Sequence, residues 1–269
     1  MNKGDKFAHL GRPRRIWAVA ACHGDVDRLD RLHQALADRF VLGDRALYLG
    51  NYLGGGDPIA TIDRLLAFRT YLLAAPGMFA SDVVYLRGMQ EEIWAKLLQI
   101  QFAPNPREVL TWMLARGAGA TLEAYGGEAR IGLAAAREGA VAINRWTSKL
   151  REMVRSHPGH DKFMSVLQRA AVTEDQNGSG KLLFVHAGLD PKRGLDEQGD
   201  NFWWDGAGFD RVESLFEDFK RVFRGADPAG NGARFDGYAV TLDAGCGSGG
   251  PLLAAAVLPD GRIVDTIQA

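Results

Sequence analysis

Hydrophobic and polar positions alternate along the first ninety residues in a regular order of strands and helices. Residues 15–21, RIWAVAA, form an apolar run suited to a buried strand. Residues 25–40, DVDRLDRLHQALADRF, place Val26, Leu29, Leu32, Leu36 and Phe40 at helical spacing, with Asp25 suited to cap the first turn. RALYLG (45–50) predicts a second strand. PIATIDRLLAFRTYLLAA (58–75) predicts a second helix with Pro58 in its first turn, and DVVYLRG (82–88) a third strand. This alternation predicts an α/β layered fold with a partly parallel sheet.

Residues from about 91 to 172 carry mainly helical periodicity, in EEIWAKLLQIQF, PREVLTWMLARGAGATLEAYG and GLAAAREGAVAINRWTSKLREMVRSH. The polar TEDQNGSGK (173–181) leads into another strand, LLFVHAG (182–188). A helix is expected over RVESLFEDFKRVF (211–223), then a strand in GYAVTLDAG and a hairpin in LLAAAVLPDGRIVDTI that turns at Pro259–Gly261. There is no internal repeat and no low-complexity tract. The organisation expected is an N-terminal arm over 1–14 and a single domain over 15–269 with a helical insertion.

Composition narrows the class further. The 269 residues are 46% hydrophobic and 24% charged, with a formal net charge of -1. That balance supports a full hydrophobic core and gives no polyelectrolyte signal toward nucleic acid or an anionic membrane. Cys22 and Cys246 are far apart in sequence with no CxxC spacing, which argues against a disulfide framework. The N-terminal MNKGDKFAHLGRPRR has no apolar core for a signal peptide, and no window reaches the roughly eighteen apolar residues needed to span a bilayer. A cytoplasmic protein with no nucleic-acid or membrane partner is the expectation.

Ligands of open α/β sheets gather at the carboxyl ends of the strands. Those ends here are AACHGD (20–25), LGNYLGGG (49–56), LRGMQEE (86–92) and FVHAGLDP (184–191). Together with GADP (225–228) and LDAGCGSGG (242–250), their order and spacing resemble the calcineurin-like metallophosphoesterases, in the phosphoprotein phosphatase and bis-nucleosyl-tetraphosphatase branch. The motifs of that branch run GD-x-HG, GD-x-x-DRG, RGNHE, HAG, GHTP and a DTG-x-x-x-GG ending. MLARGAGATLEAYG and DEQGDNFWW resemble segments of it too, so the likeness covers roughly residues 15 to 265. It implies an αββα sandwich of two mixed sheets with outer helices. It also implies chemistry by two divalent metals, manganese, iron or zinc, that clamp a phosphate and its attacking water.

Position by position, the resemblance places few of the family's groups on this chain. The aspartate of D-x-H falls on Ala21, and its histidine is retained as His23. The metal-bridging aspartate falls on Asn51, which keeps an oxygen and loses the charge. The asparagine ligand of RGNHE falls on Met89, and the proton-donating histidine on Gln90. The histidine of HAG is retained as His186, and that of GHTP falls on Ala226. The Asp-Arg of DRG falls on Gly54 and Gly55. Two imidazoles and an amide cannot offset the mutual repulsion of two adjacent dications, which need anionic oxygen ligands. The expectation is therefore a degenerate member, a pseudophosphatase acting through an unknown protein or phosphorylated ligand, with no resident cofactor.

Alternatives remain open at this level. Asp57 and Asp190, on site-facing loops, are candidate substitute ligands for an active phosphoesterase acting on a phosphoprotein or a dinucleoside polyphosphate. Glu91 matches the family's glutamate and is expected to support the turn. A purely structural partner protein with a filled cleft is a third reading. GCGSGG (245–250) matches a dinucleotide fingerprint formally, but the residues that follow are too few for a βαβ unit. SHPGHD (156–161) pairs His157 and His160 beside Asp161, where Pro158 and Gly159 mark a helix exit rather than a zinc site. Trp203 and Trp204 are expected to pack over the sheet edge near the site.

Overall fold

The computed structural model describes residues 7–269. Its strands are β1 (Phe7–His9), β2 (Arg15–Val19), β3 (Asp44–Tyr48), β4 (Val83–Tyr85) and β5 (Ala170–Val172), followed by β6 (Lys181–Val185), β7 (Phe219–Arg224), β8 (Ala239–Thr241), β9 (Leu253–Val257) and β10 (Ile263–Gln268). Helices α1 (Val26–Ala37) and α2 (Pro58–Leu73) connect the first parallel strands. Helices α3 (Met89–Leu97), α4 (Pro106–Met113), α5 (Gly119–Ala124), α6 (Ala129–Glu138), α7 (Ala140–Arg155) and α8 (His160–Val166) form the insertion.

Among the described residues the strands make two five-stranded sheets, in the orders β10-β9-β2-β3-β4 and β1-β5-β6-β7-β8. Both are mixed. In the first, β2, β3 and β4 run parallel while β9 opposes β2; in the second, only β5 and β6 are antiparallel. The period of two in β2 explains the layering. Ile16 and Ala18 meet Leu182, Phe184 and Phe223 of the facing sheet, whereas Trp17 and Val19 pack under α1 and α2. The outer face of the second sheet is covered by Trp203, Phe209, Val212 and Phe216. The α/β layering expected from the alternating pattern is thus present, as is the sandwich of two mixed sheets that the resemblance implies.

The helix starts are chemically specified. Asp25 accepts the Arg28 amide at 3.0 Å to cap α1, and Asp57 accepts the Ala60 amide at 2.9 Å to cap α2, where Pro58 fills the first position. No helix among the described residues is long and apolar enough to cross a membrane.

Three boundaries differ from expectation. Residues 7–9 of the presumed arm form β1, which pairs with β5, while residues 1–6 lie outside the described residues. The helical insertion starts at Met89 and ends at Val166, since Ala170–Val172 enter the second sheet as β5. No helix forms over 211–223, where turns precede β7. The spacing of Val212, Phe216, Phe219 and Phe223 imitates a helical face. A register shift between the Lys181–Phe219 and Leu182–Arg221 pairs instead turns Phe219 and Val222 outward and Phe223 inward, so a central strand buries all three.

Candidate functional site

The parallel strands of both sheets deliver their carboxyl ends to one crevice. His23 follows β2, Asn51 follows β3, Met89 to Glu91 follow β4, His186 follows β6 and Ala226 follows β7. Two backbone features tie the ends together. His23 and Asn51 both adopt positive φ, +50° and +54°, and the His23 amide donates to the Asn51 carbonyl at 2.7 Å. Left-handed backbone at a non-glycine residue carries strain of order 1 kcal/mol or more and persists only where surrounding contacts impose it. Across the sandwich, the Ala21 amide donates to the Gly225 carbonyl at 2.9 Å.

His186 is 1% exposed. Its Nδ1 lies 2.7 Å from the Leu49 carbonyl and must donate to it, which leaves Nε2 with a free lone pair. Burial, with His23 nearby, pushes its pKa down to about 4. Burial also lowers the His23 pKa, against the pull of Asp243. Both imidazoles are neutral at neutral pH. Asn51 is buried, and its Oδ1 accepts the Gln90 amide at 3.1 Å.

The substituted positions are occupied in a consistent way. Ala21, Ala187 and Ala226 are buried and pack against one another, so the space where the resemblance calls for a carboxylate and an imidazole holds methyl groups. Met89 packs with Trp204 at the junction of the helical core and the outer face of the second sheet, outside the alanine cluster. The Gln90 side chain turns toward the insertion, where its Nε2 donates to the Arg116 carbonyl at 2.9 Å beside the backbone break at Gly117.

Asp57 and Asp190 do not converge on the crevice. Asp57 is committed to the α2 cap. Asp190 accepts the Lys192 amide at 3.0 Å and pairs with Arg193 at 3.5 Å, within its own loop. Glu91 does hold the turns. One carboxylate oxygen accepts the Asn51 and Gly88 amides, each at 2.8 Å, and the other accepts Tyr52 at 2.8 Å and Leu53 at 3.0 Å. Burial raises its pKa, and the four amides oppose that rise.

Several participants were not assigned from sequence. Asp243 accepts the Asp227 and Gly245 amides, each at 2.8 Å, and so joins the GADP turn to the glycine-rich turn before β9. Arg224, 1% exposed, reaches Asp227 at 3.1 Å and Asp210 at 2.9 Å from behind that turn. Its position directly after Val222-Phe223, at the end of a strand, was the available signal. The cysteines, 224 residues apart, are neighbours: the Cys246 Sγ lies 3.5 Å from the Cys22 carbonyl, and both thiols are free and buried. His160 is buried between the Tyr125 hydroxyl at 2.7 Å and Asp63 at 3.1 Å, so it ties α8 to α2. Trp203 donates Nε1 to the Arg87 carbonyl at 2.8 Å, and Trp204 meets Trp112 edge to face.

Beside the crevice lies a cleft of about 620 Å³, walled by His23, Arg28, the Gly54–Gly56 loop, Asp57 and the turn carrying Cys246 and Gly247. A Cβ on Gly247 would sit 3.0 Å from the His23 ring, so that turn lies directly on the imidazole. The cleft carries the carboxylates of Asp25, Asp27 and Asp57 against one guanidinium, which disfavours an anion.

The metal pair that the fold family implies can be tested against these donors. The available atoms are the His186 Nε2, the His23 imidazole and an Asn51 oxygen already hydrogen-bonded to the backbone. Among the described residues no group of three or more His, Cys, Asp and Glu side chains has the geometry to hold a metal ion. Two dications sharing a bridging oxygen need carboxylates, and Asp243, whose pull His23 feels, spends both oxygens on backbone amides. The residues present do not fit the pair.

No family model matches the chain, and no curated protein matches it by sequence. Solved structures match over nearly the whole length. A candidate diadenosine tetraphosphatase is 17% identical over 98% of both chains, with a TM-score of 0.51. A protein serine/threonine phosphatase from Saccharomyces cerevisiae, similar to human phosphatase PP5, is 13% identical over 98% of this chain and 84% of that one, with a TM-score of 0.54. A mutant of a cold-active protein tyrosine phosphatase is 14% identical over 100% and 85%, with a TM-score of 0.50. At these identities the likeness carries the fold. The fold of this chain, two mixed sheets face to face under outer helices, is the one these phosphatase structures share.

Proposed function

We propose that this chain is a phosphatase-fold protein that lacks two-metal phosphoester hydrolysis and acts by binding a partner or ligand. The observation that carries this reading is the buried packing of Ala21, Ala187 and Ala226, two of which stand where the family's chemistry needs an aspartate and a histidine. Gln90, at the proton donor's position, supports it. An amide has no titratable proton to give a leaving oxygen, and this one is engaged with the Arg116 carbonyl. His23, Asn51 and His186 keep the turn geometry of a metal crevice without its charge.

The test is metal content together with turnover. Protein purified in manganese is desalted, assayed for bound metal, and given an aryl phosphate, a phosphopeptide and a dinucleoside polyphosphate. The expected result is less than one equivalent of metal and no hydrolysis above buffer. Two equivalents with turnover would establish the competing reading, a working phosphoesterase with a rearranged site that recruits Asp57 or Asp190. Thermal unfolding with phosphopeptides and nucleotides then asks about binding, because a ligand held only by the folded chain raises its midpoint.

A further inference from the structure

A cleft of about 870 Å³ lies apart from the crevice described above and shares no lining residue with the cleft beside it. It lies where the two sheets end. β4 closes the order of one sheet and β1 that of the other, and residues of both strands line the cleft. Edge strands of a sheet present peptide groups that have no neighbouring strand to pair with. Part of the β4 edge is already closed from the side, since the Gln168 amide donates to the Tyr85 carbonyl at 2.9 Å and the Gln168 carbonyl accepts from Arg87 at 2.7 Å. Val83 and Val84, earlier on the strand, line the open part.

The walls are chemically one-sided. Leu66, Val83, Phe163 and Leu167 supply apolar surface, while Arg69 from α2 and Lys162 from α8 supply two cations. Among the described residues no acidic side chain lines the cleft, and neither cation makes an ion pair. This contrasts with most of the molecule, whose cations and anions are nearly balanced at a net charge of -1 and where many arginines hold a carboxylate.

We infer that this cleft is a docking site for an extended acidic segment of a partner protein, which aligns along the β4 edge and sets its carboxylates against Arg69 and Lys162. Alternation suits such an occupant. In a strand, every second side chain would enter the apolar floor and the intervening ones would face the rim, where the cations lie. The inference stands apart from the reading of the crevice, because neither Arg69 nor Lys162 belongs to it.

A fluorescein-labelled peptide alternating valine with glutamate, and its valine–lysine counterpart, are titrated against the full chain and followed by anisotropy. The acidic peptide should bind, more weakly as salt rises, and the basic one should not. Arg69→Glu with Lys162→Glu should weaken binding by about tenfold or more, as charge reversal across a complementary interface does. Lys162→Glu alone, on an exposed side chain, provides a variant that cannot be dismissed as misfolded. Hydrogen exchange should slow at Val83, whose backbone faces the open edge, in the complex. The inference is overturned if both peptides fail to bind, if the charge-reversed chains bind the acidic peptide equally, or if protection appears elsewhere. A concentration-dependent dimer that buries this cleft and excludes the peptide would overturn it too, in favour of a second copy of the chain.

Discussion

Glu91→Gln probes what holds the crevice together. The wild-type carboxylate accepts four backbone amides at 2.8–3.0 Å, two on each oxygen, from the turn after β3 and from Gly88. Glutamine keeps the shape but replaces one oxygen by an amino group, so two of the four N–H groups face another donor. Hydrogen bonds to a charged acceptor contribute about 1.5–3 kcal/mol each, and a buried donor left without a partner costs about 1–3 kcal/mol. Relief of the buried charge, visible in the raised pKa, offsets part of this loss. The net expectation is a destabilisation of about 2–4 kcal/mol, a large share of the roughly 5–15 kcal/mol typical of a folded domain. Urea unfolding followed by far-ultraviolet circular dichroism, in metal-free buffer, measures it. A change below about 1 kcal/mol would refute the claim that this carboxylate organises the two turns.

Other outcomes follow from the same contacts. Burial holds the pKa of His33 down to about 3 and that of His186 to about 4, so both stay neutral in the fold while the unfolded chain protonates them below about 6.5. Their contribution is complete above that pH and is lost as pH falls toward 4, at about 1.4 kcal/mol per pH unit for each; urea midpoints that stay flat from pH 7 to 5 would contradict this. Arg224→Met leaves the buried Asp227 with no cation, Asp210 keeping only Arg234 at 3.8 Å, and should cost about 3–5 kcal/mol, read by thermal unfolding. Ala21→Asp places a carboxylate among alanines and should destabilise by several kcal/mol, on the order of an unpaired buried charge. Added manganese should not restore that stability, and stoichiometric rescue would overturn the assessment of the donor set.

Much of the fold was legible because its strands and helices announce themselves by period. RIWAVAA and the helix after it are unambiguous, and Asp25 marks its helix start by chemistry that needs no tertiary context, whereas Asp57, read as a candidate ligand, caps α2. The failures are instructive in the same terms. The 211–223 segment carries apolar residues at helical intervals, yet a bulge in β7 lets a strand bury the same residues on both faces, and a bulge leaves no mark in periodicity. β1 is three residues long and depends on β5, more than 150 residues away, so nothing local specifies it. At the crevice, His23, Asn51 and His186 could be named from their flanking motifs. The roles of Asp243 and Arg224 could not, because each also reaches a segment that strand packing sets alongside it, Asp243 the Asp227 amide and Arg224 the Asp210 carboxylate.

The pattern of what is kept and what is absent has a physical logic. Glu91 and Asp243 bond only to backbone amides, and the left-handed His23 and Asn51 shape turns, so these features stabilise the chain whether or not a metal is bound. The carboxylates absent from positions 21 and 51 would have been different. Without dications between them, closely spaced buried carboxylates repel one another and bear the penalty of desolvation. Alanine at 21 and asparagine at 51 carry no such penalty, and the methyl groups of Ala21, Ala187 and Ala226 close the space. On the function proposed above, a crevice whose scaffold is intact and whose two carboxylate positions hold Ala21 and Asn51 is at its most stable empty of metal. A catalytic two-metal centre, held together only when loaded, would show the reverse order of stabilities.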